Sequence, residues 1–146
     1  MVSRSMISLV IAANIALVDP SGGYFVVPEG ELGKRFVQAD SVGKLGNLAS
    51  LTHLNIRSPA TETPSGLSQA VEVDSQFDCA ARQVRGLSLR LISPANETLN
   101  TIPIQGDWIA IPIQMAPLFR LACEGSEGFE LLAVDRATLI AEAVSR

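Results

Sequence analysis

The chain has 146 residues, 47% of them hydrophobic and 18% charged, with a net charge of −4 at pH 7. That length supports one ordinary hydrophobic core and leaves no room for a second domain of similar size. The acidic balance offers no basic stripe to neutralise phosphates, which argues against nucleic acid as a partner. Mean hydropathy is high at +0.29, yet no apolar run reaches the roughly 18 residues a membrane-spanning helix needs.

Residues 1–18 account for part of that hydropathy. A short leader with one positive charge, Arg4, precedes the apolar run Ile7–Val18, and Asp19-Pro20 breaks any helix after it. This pattern reads as an export signal; the alternative is a buried helix or strand opening the domain. The remainder divides into a single domain over 19–127 and a C-terminal helical extension over 128–146.

Tyr24–Val27, aromatic and β-branched, is the first expected strand, and Lys34–Val37 returns antiparallel after a Pro- and Gly-containing turn. Ala49–Arg57 alternates as a third. Ser50, Thr52, Leu54 and Ile56 share one face, and Ala49, Leu51, His53 and Asn55 share the other. Pro59 and Pro64 argue for a polar loop from Ser58 to Ser68. Gln69–Cys79 resumes the alternation with Val71, Val73, Ser75, Phe77 and Cys79 on one face. Gln83–Ile92 follows, its phase break near Arg85-Gly86 predicting a bulge. Glu97–Pro103 is extended and pushed to an edge by Pro103, Trp108–Ile111 is strand-like, Ile113–Cys123 has helical spacing, and Phe129–Val144 is loosely helical.

Two cysteines, Cys79 and Cys123, and one histidine, His53, cannot assemble a four-ligand zinc site. A structural disulfide is the better use of the sulfurs; buried free thiols in a reducing compartment are the alternative. Asp78, Arg82 and Arg85 are candidates for a structural ion pair or an anion-binding corner. Trp108 reads as a core aromatic or, alternatively, an exposed binding aromatic. No catalytic constellation, metal site or cofactor motif is recognisable, so catalytic residues, metal and cofactors are all expected to be none.

Phe77-Asp78-Cys79 with Arg82 and Arg85, then Trp108, Ile111-Pro112 and Cys123, resembles the surface-adhesin protein E family of bacterial envelope proteins. The opening Tyr24–Val27 followed by Phe36–Val42 and Gly46-Asn47 is similar to that family's first strands. The resemblance covers about Tyr24 to Cys123. It implies an α+β domain: a bent antiparallel β-sheet of about five or six strands with a packed helix and one disulfide, Cys79 to Cys123. It also implies a periplasmic, cell-surface or secreted location and an envelope or extracellular protein as partner, a homodimer being left open.

Two functions follow. One is a non-catalytic exported binding or structural domain, adhesin-like in the sense of the resemblance. The other is a small hydrolase or apolar-ligand carrier with a pocket drawn from Leu51, Leu87, Leu89 and Trp108. The second requires a pocket of convergent polar groups that includes His53.

Overall fold

The computed structural model describes residues 22–30 and 33–145, so the leader expected at 1–18 lies outside the described residues. Its strands are β1 (Tyr24–Gly30), β2 (Gly33–Gln38), β3 (Gly43–Leu45), β4 (Leu48–Thr63), β5 (Gly66–Asp78), β6 (Gln83–Ile92), β7 (Thr98–Pro103), β8 (Ile109–Ala110) and β9 (Leu131–Leu132). Two helices complete it, α1 (Ala116–Glu124) and α2 (Arg136–Val144). The strands form one sheet in the order β7-β6-β5-β4-β2-β1-β9, with β3 attached to β4 and β8 to β6. Every pairing is antiparallel.

The expectation of five or six strands is corrected to nine among the described residues, which are mostly β. Trp108–Ile111, expected to be strand-like, contributes β8; the strands not expected are β3 and β9, only three and two residues long. Alternation has no length to register in such strands. A second correction concerns Ser58–Ser68, which is not a loop. β4 and β5 form one long hairpin that closes at Thr63 opposite Gly66, around Pro64-Ser65. Pro59 is tolerated because it sits inside the register break between Ile56 and Thr61, where no ladder donor is missed.

The bulge in β6 falls where the phase break placed it: Asp74 opposes Ser88 while Ser75 opposes Gly86, leaving Leu87 as the extra residue. The Ile113–Cys123 segment divides into a 3₁₀ turn, Ile113–Met115, and α1. Pro117 lies in the first turn of α1, where its missing N–H is no loss. The C-terminal segment is less helical than its spacing predicts. Leu131 and Leu132 extend the sheet by pairing with Phe25 and Tyr24, and helix begins only at Arg136. Gly23 has φ +87°, and a Cβ there would run into the Leu132 carbonyl, so the β1–β9 contact depends on glycine.

The period of two sorts the strands onto two cores, one on each face of the sheet. On one face Ala49, Leu51, Val37, Phe77 and Val84 meet Leu118, Phe119, Leu121 and Ala122 of α1. On the other, Tyr24, Phe36, Leu54, Ile56, Ala70 and Ile92 meet Leu139 and Ile140 of α2. Cys79 and Cys123 are bridged, with Cα atoms 5.7 Å apart, joining the β5–β6 turn to the last turn of α1.

Candidate functional site

Along β4 the residues facing α1 change character. Ala49 and Leu51 are core, but His53 and Asn55 continue the same face where the helix no longer covers it. A cleft of about 640 Å³ opens there. Its floor is Arg35 of β2, His53 and Asn55 of β4, Val73 and Ser75 of β5, and Val84 to Gly86 of β6. Its far wall is Gly106, Asp107 and Ile109, then Gln114, Met115 and Leu118 at the start of α1.

The strand register fixes how these groups meet. Arg35 lies opposite Asn55, and His53 opposite Val73. Arg35, His53 and Asn55 are each 7% exposed. The Arg35 guanidinium donates to the Pro28 carbonyl at 2.9 Å and to the Gln114 carbonyl at 2.7 Å, tying β1 to the turn before α1. Burial pushes its pKa down. Among the described residues His53 Nδ1 and Asn55 Oδ1 have no hydrogen-bond partner. Desolvation and then the Arg35 charge lower the His53 pKa from 6.5 to about 4, against a smaller opposing pull from Asp74, so the imidazole is neutral at pH 7.

The hydroxyl in the floor, Ser75, makes no hydrogen bond to His53, and no group orients the imidazole at Nδ1. A nucleophile and base pair is recognised by such contacts and by a base with a pKa nearer neutrality. Among the described residues no three His, Cys, Asp or Glu side chains gather as metal ligands. No described helix is long and apolar enough to cross a membrane.

The residues singled out by sequence cluster elsewhere, around the disulfide. Asp78 caps the β5–β6 turn by accepting from Ala80 N at 3.1 Å and Ala81 N at 2.9 Å. Among the described residues it forms no ion pair with Arg82 or Arg85. Instead Arg82 stacks on Phe119, 4.6 Å from the ring centre, and Arg85 stacks on Trp108 at the same distance while donating to Gln76 Oε1 at 2.9 Å. Trp108 is half-buried, held under Arg85. The pocket expected from Leu51, Leu87, Leu89 and Trp108 is not the one that forms, because Leu51 is core and Leu87 is exposed at the bulge. His53 does line the observed cleft.

Sequence reading passed over Arg35, Asn55 and Ser75. The first two had a signal: a cation and an amide in strands otherwise alternating apolar inward. The true ion-pair cluster was also missed, and lies on the opposite face. Arg90 donates to Glu72 and Asp74 at 2.8 Å, and Arg136 of α2 reaches Glu72 at 3.3 Å.

No family model and no curated protein sequence matches the chain. Among solved structures it is similar to the crystal structure of protein E from non-typeable Haemophilus influenzae, with a TM-score of 0.50 and 10% sequence identity. The likeness covers 87% of this chain and 91% of that one. The two proteins share a fold.

Proposed function

We propose that the chain is an exported, non-catalytic binding domain of the bacterial envelope that holds a small apolar or amphiphilic ligand in the cleft between the sheet and α1. The observation that carries this reading is a cavity of ligand size lined by Arg35, His53 and Asn55, the last two each carrying a buried atom, His53 Nδ1 and Asn55 Oδ1, without a partner among the described residues. Orphaned buried polar groups destabilise a fold unless something else meets them. The His53-lined pocket was the requirement set for the carrier reading over a purely protein-binding domain, and the missing Ser75–His53 contact favours carriage over hydrolysis. Export is supported by the leader pattern in residues 1–18, by a disulfide suited to an oxidising compartment, and by the fold shared with protein E.

Two experiments test this reading. Titration with the neutral apolar dye Nile red should give saturable fluorescence that Val73→Phe abolishes, since Val73 is a half-exposed floor residue and Phe suits a strand. Dye binding unaffected by that change would overturn the cleft as the site. Fractionation of the native host, with reducing and non-reducing gels side by side, should place an oxidised chain outside the cytoplasm; a reduced cytoplasmic chain would overturn export.

A further inference from the structure

The cleft is positively charged in an acidic protein. Its lining holds two cations, Arg35 and Arg85, against one anion, Asp107, and a neutral His53, a net of +1 where the whole chain carries −4. The two arginines are in different states. Arg85 is occupied, donating to Gln76 and set over the Trp108 ring. Arg35 is buried, its donors go to uncharged carbonyls, and among the described residues no carboxylate forms an ion pair with it. A buried guanidinium without an anion is costly, and an anion that enters beside it recovers part of that cost. The two orphaned atoms stand next to it. Asn55 is the cross-strand partner of Arg35, so their Cβ atoms are about 5 Å apart, and His53 is two residues along β4 on the same face.

We propose that the ligand is a single-chain amphiphile with a carboxylate head, the head seated at Arg35, Asn55 and His53 and the apolar body lying along Val73, Val84 and Leu118. This rests on the cleft being the ligand site. A carboxylate accepts in two directions at once, which suits a guanidinium with donor capacity beyond its two carbonyl contacts. The Asn55 amide NH₂ is a donor for the head, and the neutral imidazole donates from the ring nitrogen that carries its proton. The apolar walls then take up the chain and expel water from the cleft. A cationic head is repelled by Arg35, and a neutral alcohol leaves the guanidinium without its anion.

Calorimetric titration of the disulfide-intact chain with decanoate, decanol and decyltrimethylammonium, each below its micelle concentration, tests the head group. Decanoate should bind, with decanol weaker by about tenfold or more, as expected for a lost charge-assisted contact, and the ammonium compound should not bind. Arg35→Gln should remove the preference for decanoate over decanol. Because Arg35 also holds β1 to the turn before α1, Asn55→Leu serves as a second variant: it removes an unpartnered amide oxygen, should leave the fold intact by circular dichroism, and should weaken decanoate binding. Equal affinity for decanoate and decanol, or a preference unchanged in Asn55→Leu, overturns the carboxylate head while leaving the cleft an apolar site. Absence of decanoate binding in a chain that binds Nile red does the same. Loss of both overturns the cleft reading itself.

Discussion

The two faces of the central hairpin treat buried polar groups in opposite ways. On the α2 face Asp74 receives Thr52 at 2.6 Å, Ser88 and the Arg90 fork, and Glu72 receives both Arg90 and Arg136. On the α1 face, one residue further along the same strands, His53 and Asn55 are left open. A satisfied network specifies one arrangement of strands and helix; an unsatisfied pair leaves polar capacity that a water or a ligand can meet. The covalent tie sits on the open face, where α1 forms one wall of the cleft.

The largest effect should come from cutting that tie. Replacing both cysteines, Cys79→Ala with Cys123→Ala, should lower stability by about 4 kcal/mol on the chain-entropy account of a loop this long, read from urea unfolding. Below the unfolding transition, amide exchange should rise in α1 before it rises in α2. Equal loosening of both helices would mean that the bridge supports the whole sheet and that the faces are not separable.

Acid separates the faces next. The His53 pKa is lower folded, about 4, than unfolded, 6.5, so between those values the unfolded chain binds the extra proton. Stability therefore rises with pH across that window, and falling from pH 6.5 to 4 should remove on the order of 3 kcal/mol. The His53→Leu variant should show a flat profile there. Asp74 is held below its ordinary value of 3.8, first by the Arg90 hydrogen bonds, so its contribution is present above 3.8 and is lost only as pH falls through its lower folded value. A wild-type profile flat from pH 6.5 to 4 would show that His53 is not desolvated as described.

How much of this contrast was legible in the sequence depends on strand length. Within the long strands, Ala49–Arg57 of β4, Gln69–Cys79 around β5 and Gln83–Ile92 of β6 could be placed, with the β6 bulge, because alternation is readable over nine or more residues; the outer part of β4 could not, since Pro59 and Pro64 read as a loop. The disulfide followed from a two-cysteine count and the resemblance. The cleft was not legible. It requires knowing that α1 stops short of His53 and Asn55, which is a matter of three-dimensional coverage. Arg82 and Arg85 drew attention by their closeness to Cys79, yet both stack on rings, Phe119 and Trp108, from distant parts of the chain. The Glu72–Arg90 and Asp74–Ser88 partners are exact cross-strand neighbours, so the β5–β6 register would have disclosed the network had it been worked through.

Arg90→Ala tests the closed face directly. It leaves Glu72 to Arg136 alone and Asp74 to its two hydroxyls, and should cost about 2 kcal/mol, kept to that size because water reaches Asp74. Chemical denaturation measures it, and Nile red binding at the other face should not change. Loss of dye binding in a folded Arg90→Ala chain would join the two faces into one unit.

The smallest effect belongs to the end of α2. Asp135 is its N-cap, accepting from Thr138 N at 2.9 Å and from the Thr138 hydroxyl at 2.7 Å, and these bonds lower its pKa. A carboxylate there also meets the positive end of the helix dipole. Because the folded pKa is depressed, the contribution is present above the unfolded value and lost as pH falls through the folded one. Asp135→Ala should therefore loosen only the first turn of α2, raising exchange at Thr138 while Leu139 and Ile140 stay packed on the sheet, and Asp135→Asn should recover much of the capping without the charge. If exchange instead spreads to Leu139 and Ile140, the cap and not the apolar contact holds α2 in place, and the closed face is the weaker of the two.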